Sequence, residues 1–233
     1  TPYNTIMVRE TAWDTALYLN TTRIVQSVRR RDGGDGGSYW GLMAALPALA
    51  APPAGRALFL GVAGGVAVEA MARAWPSLRA PGRIQGVEID PGVVAVARDR
   101  FALSIPVAAE DARRFVARPG DRYGAVLIDL YSTGQIPAHT ATAEFFRALA
   151  ERLEPGGVVA MNVFGGGDPD AIVAPVAATL RAVFPSVLAM RTGSGNAILF
   201  AWREAGVGVD AARARLATAP PGAASAAGRI AAD

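Results

Sequence analysis

The sequence predicts an α/β protein: a doubly wound, mostly parallel seven-stranded sheet with a small antiparallel β element at its N-terminal end. Three observations carry this. From Arg56 onward, short runs that are apolar on both faces alternate with helical patterns, as strands do when helices cover both sides of a parallel sheet. The run Ala57-Leu58-Phe59-Leu60 ends in Gly61-Val62-Ala63-Gly64-Gly65, and a helical pattern opens at once at Val66. Strand, glycine turn and helix in that order is the Rossmann-like arrangement that lets backbone N–H groups approach a ligand. About twenty-seven residues after Gly61 comes Glu88, in a second apolar run, Gly86-Val87-Glu88-Ile89-Asp90, whose acidic end suits ribose hydroxyls.

Taken in order, residues 1–50 read as a β-stranded element and a linking helix. Thr5–Val8, Ala16–Leu19 and Ile24–Gln26 alternate in strand fashion, with Asn20-Thr21-Thr22 as a turn. Asp32-Gly33-Gly34-Asp35-Gly36-Gly37 is a flexible loop, Tyr39 to Leu49 a buried helix, and Pro52-Pro53-Ala54-Gly55 a closing linker. Residues 51–204 form the Rossmann-like nucleoside-binding domain. Its strands are expected at Ala57–Leu60, Arg83–Ile89, Pro106–Ala108, Ala125–Ile128 and Val158–Asn162. Helices are expected at Val66–Trp75, Pro91–Phe101, Ala112–Ala117 and Ala141–Leu153, Pro91 suiting a first helical turn. Asp168–Phe184 reads as one more helix. Val187–Met190 and Asn196–Trp202 read as a closing strand pair turned by Gly193-Ser194-Gly195. Residues 205–233 are rich in Ala, Gly and Pro and read as a weak helix near Asp210–Ala217 and a frayed tail.

Composition bounds the chemistry. With 233 residues, 52% of them hydrophobic, the chain can bury a large core. It has no cysteine and one histidine, His139, so thiolate and histidine metal sites are not expected and the cofactor set contains no metal. The net charge is only +3 and, apart from Arg29-Arg30-Arg31, which reads as a solvated turn, the arginines are scattered. No nucleic-acid partner is expected. The apolar stretch from Tyr39 to Gly55 is interrupted by Pro47, Pro52 and Pro53 and is short of a membrane span. No signal peptide is visible and a cytoplasmic location is expected. The chain opens at Thr1 without methionine and reads as a trimmed or excised segment.

In an open parallel sheet, ligands bind at the carboxyl ends of the strands. Glu88, Asp111, Asp129 and Asn162 each fall at or just after such an end. Singly, each could be a helix cap or a turn residue; all four on one rim point to a ligand.

Read in order, this set resembles the spermidine synthase (polyamine aminopropyltransferase) family, a branch of the class I S-adenosylmethionine-dependent methyltransferase-like fold. The likeness runs from about Tyr3 to Trp202. Leu60-Gly61-Val62-Ala63-Gly64-Gly65 matches the glycine motif, and Val87-Glu88-Ile89-Asp90-Pro91 is the best match. Asp111-Ala112, Asp129, Pro137-Ala138 and Leu153-Glu154-Pro155-Gly156-Gly157 follow suit. The resemblance implies Gln26, Gly61, Ala63, Gly64, Gly65, Glu88, Ile89, Asp111, Ala112 and Asp129 as contacts of a sulfonium nucleoside. Glu88 would hold ribose and Asp111-Ala112 would read adenine. It implies Asp129 as general base, Tyr39 beside the reacting amine, and weaker acceptor contacts at Tyr131, Ser132 and His139. It also implies a homodimer.

Departures from the family pattern cluster on the amine side. Gly64 replaces an aspartate of the glycine motif, which leaves room for a cofactor carboxylate. Ser132 replaces the second aspartate of the active-site loop, and Gly41 and His139 replace further acids. A positively charged sulfur is already a good leaving group, so the task is to position a nucleophile and take its proton. The expected activity is aminopropyl transfer from decarboxylated S-adenosylmethionine to an amine, with Asp129 as base. One carboxylate would not also neutralise the far end of a putrescine-like acceptor, unless Asp14, Asp32, Asp35 or Asp168 folds over the site. Two other readings fit the same residues: an S-adenosylmethionine-dependent methyltransferase acting on a non-polyamine acceptor, and a non-catalytic nucleoside-binding homologue. Gly165-Gly166-Gly167, after the fifth strand, reads as a rim loop.

Overall fold

A computed structural model describes residues 1–34, 39–164, 169–192 and 195–232. Two sheets organise it. β1 (Ile6–Glu10), β2 (Asp14–Leu19) and β3 (Val25–Arg30) form an antiparallel three-stranded sheet in the order β1-β2-β3. Ala16 and Leu17 of β2 are buried, and Leu17 packs with Val93 and Phe101.

A short helix, α1 (Tyr39–Leu42), continues as a 3-10 helix from Met43 to Leu49. The sequence suggests one helix here. Pro47 lies inside the 3-10 segment, where it removes a donor. The alternating region follows as β4 (Ala57–Leu60), α2 (Val66–Ala74), β5 (Ile84–Glu88), α3 (Pro91–Phe101), β6 (Val107–Ala109), α4 (Ala112–Ala117) and β7 (Tyr123–Ile128). Then come α5 (Ala143–Glu151), β8 (Leu153–Phe164), α6 (Pro169–Arg181), β9 (Ser186–Arg191) and β10 (Asn196–Trp202).

The main sheet has seven strands in the order β6-β5-β4-β7-β8-β10-β9. β4 pairs in parallel with both β5 and β7, β7 with β8, and β5 with β6, while β10 runs antiparallel to β8 and β9. The α/β class and the mostly parallel seven-stranded sheet are therefore as the sequence predicts. β4 and β7 are buried at every position, which explains their uniformly apolar sequences. Core residues lie on both sides of the sheet: Phe59, Leu127 and Met71 on one, Leu60, Ile128 and Phe145 on the other.

Helix starts follow local chemistry. Asp90 caps α3 by accepting from the Gly92 N–H, Asp111 caps α4 through the Arg114 N–H, and Thr142 caps α5 through the Phe145 N–H.

The C-terminal tail departs from expectation. α7 (Val209–Leu216) is where the weak helix is predicted, but a 3-10 turn and α8 (Ala224–Ala232) follow it. Ala223, Ala226 and Ala227 are buried, and α8 packs on α1 and the Met43–Leu49 segment. The segment read as frayed is part of the core, its buried alanines joining the main hydrophobic cluster. The Gly165–Gly167 loop, the Gly193-Ser194 turn, Asp35 and Asp168 lie outside the described residues.

Candidate functional site

The strand order reverses at β4, whose neighbours are β5 on one side and β7 on the other. Such a switch point leaves a crevice above the carboxyl ends of the strands. Glu88 ends β5, Asp111 follows β6, Asp129 follows β7 and Asn162 lies near the end of β8, so all four stand on that one rim.

The glycine turn is fastened on every side. The Gly61 N–H donates to the Val87 carbonyl oxygen at 2.9 Å, and the Asp129 N–H donates to the Leu60 carbonyl oxygen at 2.8 Å. Gly61 has φ +85°, and a Cβ there would stand 2.1 Å from the Asp129 carbonyl oxygen. Glycine at 61 is thus what allows Asp129 to come so near. Gly64 donates its N–H to Ser27 Oγ of β3 at 2.9 Å. A Cβ on Gly64 would meet Ser27 Cβ at 2.8 Å and a Phe101 ring carbon at 2.9 Å. The expected room for a cofactor carboxylate at Gly64 is therefore not there: that direction is filled by the N-terminal sheet and α3.

On the β7–β8 side of the turn a cavity of about 400 Å³ opens between the two sheets. Among the predicted residues, Gln26, Tyr39, Gly61, Ala63, Asp129 and Tyr131 line it. Ser132 and His139 do not; both are exposed, and Ser132 pairs with Gln135 across its own turn. Asp129 is held from both ends. Tyr39 donates its hydroxyl to Asp129 Oδ2 at 2.9 Å, and Asn162 donates Nδ2 to Oδ1 at 2.8 Å. Asn196 Nδ2 in turn donates to Asn162 Oδ1 at 2.8 Å. Burial pushes the Asp129 carboxyl above the ordinary aspartate range, although the bonds from Asn162 and Tyr39 pull the other way. Burial, and then the adjacent Asp129 charge, raise the Tyr39 hydroxyl well above its usual value. Tyr131 donates to the Asn162 carbonyl oxygen and accepts from the Phe164 N–H, which fixes its ring at the cavity edge.

On the β5–β6 side lies an outer ledge. Glu88 Oε2 accepts from the Val62 and Ala63 N–H groups, both at 3.2 Å, and Oε1 from the Asp90 N–H at 3.3 Å. Burial raises its carboxyl against those three bonds. Ile89 beside it is 39% exposed, an apolar surface facing solvent. Asp111 contacts His139 Nε2 at 2.8 Å as well as capping α4. Burial works to raise its carboxyl, but the His139 contact and the Arg114 N–H outweigh it and the net position is low. His139 thus sits by Asp111 rather than by the cavity. Ala112 is buried beneath, and Gly65 faces away from the cavity toward Leu103.

Three residues of this site were not singled out from sequence: Arg23 and Ser27 on and beside β3, and Asn196 on β10. Their places depend on how distant strands register, which no local motif records. Among the described residues no group of three or more His, Cys, Asp and Glu side chains could hold a metal ion, and no helix is long and apolar enough to cross a membrane.

The fold and this switch-point rim define a Rossmann-like domain of the methyltransferase type. Human methyltransferase-like protein 13, solved in complex with SAH, superposes with TM-score 0.62 at 23% identity, covering 81% of this chain and 89% of that one. A probable spermidine synthase from Corynebacterium glutamicum matches over 93% of this chain and 85% of its own, with TM-score 0.69 and 16% identity. In sequence, the chain is 34% identical over 163 residues to the "Probable polyamine aminopropyl transferase" of Bifidobacterium longum. The resemblance to the polyamine aminopropyltransferase family is thus borne out. That match takes in 69% of this chain and 35% of the relative, so the chain spans about a third of the relative's length. No protein-family model matches the chain.

Proposed function

We propose that this domain alkylates an amine with a sulfonium nucleoside, and that the group transferred is the aminopropyl of decarboxylated S-adenosylmethionine. The observation that carries the reading is Asp129. It is the one carboxylate lining the cavity among the described residues, it stands over the glycine turn, and it is clamped between Tyr39 and Asn162. The nucleoside would lie on the ledge, with ribose on Glu88, adenine between Ile89 and the Asp111-Ala112 pair, and the sulfonium arm crossing Gly61 and Ala63. Gln26 would close the cavity from the N-terminal sheet. An amine enters mostly as ammonium, its free pKa being near ~10. It gives one proton to an Asp129 oxygen, and its lone pair then attacks the methylene carbon beside sulfur. The carbon–sulfur bond breaks with its electron pair left on sulfur, giving a neutral thioether and a secondary ammonium. The raised Asp129 carboxyl lies nearer the amine's own pKa than an ordinary aspartate would, which suits a proton acceptor.

Residues 51–204 are the proposed catalytic unit, working as a homodimer as the family resemblance implies, and a cytoplasmic location is proposed for it. A second reading, methyl transfer from S-adenosylmethionine itself, is favoured by Arg23. This exposed cation lines the same cavity and could meet the carboxylate that decarboxylation removes. Calorimetry with both co-substrates and mass spectrometry of the nucleoside product test the choice. Tighter binding of the decarboxylated form and release of methylthioadenosine support aminopropyl transfer. Tighter binding of S-adenosylmethionine and release of S-adenosylhomocysteine support the second reading. Binding of neither by folded protein refutes both.

A further inference from the structure

We propose that the acceptor is a primary monoamine with an uncharged, largely apolar body, not a diamine. The inference rests on Asp129 being the group that meets the acceptor nitrogen, and not on which alkyl group is moved.

The cavity wall is the argument. Beside Asp129 it is built largely from apolar side chains, among them Ile24, Val25, Trp40, Phe59, Leu127 and Phe164. Its uncharged polar groups, Gln26, Asn162 and Asn196, can accept or donate a hydrogen bond but carry no counter-charge. Among the described lining residues, the charged groups are Asp129 and Arg23, one of each sign. A sulfonium arriving over the turn already adds positive charge. A monoammonium can use Asp129. The second ammonium of a diamine would face hydrocarbon, uncharged amides or the Arg23 guanidinium but no second carboxylate among the described lining residues, and a buried charge without a counter-charge is strongly disfavoured.

Among the described residues, the acids that might have served are engaged away from this cavity; Asp35 and Asp168 lie outside them. Asp14 accepts from Thr11 Oγ1 at 2.9 Å, Asp32 pairs with Arg30 at 3.0 Å, and Glu88 accepts from the backbone of the glycine turn. Ser132, where the family has its second loop aspartate, is exposed and outside the lining. The four or five carbons of a butyl or pentyl chain match a wall of leucine, valine and aromatic side chains, and each methylene buried there favours binding.

The test compares n-pentylamine with putrescine, which have the same number of heavy atoms and differ by a methyl for an ammonium. Binding of each is measured by calorimetry at pH 8 on the full chain saturated with methylthioadenosine. We expect pentylamine to bind at least tenfold more tightly, and Asp129→Asn to remove most of that binding. Arg23→Glu replaces the exposed cation by an anion and is expected to raise putrescine affinity relative to pentylamine by about tenfold. Equal or tighter binding of putrescine by the unaltered protein overturns the inference, as does an unchanged ratio in Arg23→Glu. If methylthioadenosine binds but neither amine does, the amine-transfer reading falls and this inference with it. If methylthioadenosine itself does not bind, the nucleoside site is what has failed.

Discussion

Replacing Asp129 by asparagine separates chemistry from architecture. The side chains are nearly the same shape, and the surroundings dictate how the amide must sit. Asn162 presents Nδ2 to Asp129 Oδ1, and its own Oδ1 is already taken by Asn196 Nδ2. Asn162 is therefore not free to flip, so the new amide oxygen faces Asn162 and the new NH₂ faces Tyr39. Tyr39 can accept that bond but loses the oxygen to which it donated at 2.9 Å. One hydrogen bond weakened costs about 0.5–1.5 kcal/mol. Against this stands the removal of a buried charge. Because the folded-state carboxyl is raised by burial, its stabilising, protonated form is present at low pH and is lost as pH rises through that raised value. At neutral pH the asparagine variant is free of that penalty. The two effects oppose, and stability should change by no more than about 1 kcal/mol, or roughly 2–4 °C in Tm for a chain of this size. Activity is a different matter, since loss of a general base lowers rate by about 10²–10⁴. The assay is kcat/KM for nucleoside release beside a thermal melt, each from pH 5 to 9. In the parent protein the rate should fall on acidification along a limb lying above the usual aspartate range, and the variant's residual rate should lack that limb. A variant that keeps more than a tenth of kcat/KM with an unaltered melt would refute Asp129 as the proton acceptor.

Other expectations follow from single contacts. Gly61→Ala puts a methyl 2.1 Å from the Asp129 carbonyl oxygen, so β7 must shift. A loss of about 1–3 kcal/mol from overpacking is expected by chemical denaturation, with kcat falling more than nucleoside affinity. Asp111→Ala should cost about 1 kcal/mol as a lost helix cap and, in addition, weaken nucleoside binding about tenfold by calorimetry. A stability loss with unchanged affinity would leave Asp111 as a cap alone. Deleting the chain beyond Ala217 uncovers the surface under Ala223, Ala226 and Ala227 and should lower Tm by at least about 4 °C in differential scanning fluorimetry.

Much of the fold was legible because its boundaries are set by local chemistry. β4, α3 and α4 begin and end where the sequence suggests: Gly61 stops one, Asp90 with Pro91 opens the next, and Asp111 caps the third. β8 was legible only in its centre. Glu154-Pro155-Gly156-Gly157 precedes the expected strand yet lies within β8, and Gly156 has φ +72° where the Ala51 carbonyl oxygen comes too near for a side chain. A backbone approach between residues so far apart leaves no local pattern. The same holds in the site. Glu88, Asp129 and Asn162 announce themselves at the ends of apolar runs, whereas Asn196 matters only because β10 pairs antiparallel with β8. The tail was misread because alanine is a weak hydrophobic signal, although small side chains are what a close helix contact needs.

The hydrogen bond from the Gly64 N–H to Ser27 Oγ ties a hairpin to the glycine turn, yet the two belong to different sheets. Gln26, next to that anchor, belongs to the hairpin; Asp129 and Asn162 belong to the large sheet. Recutting the hairpin's neighbouring positions, Arg23 and Val25 among them, would then retune which molecule is admitted while the bond-making end stays as it is. A lineage, or an engineer, could explore new acceptors by editing one small ribbon, provided the serine pin is kept.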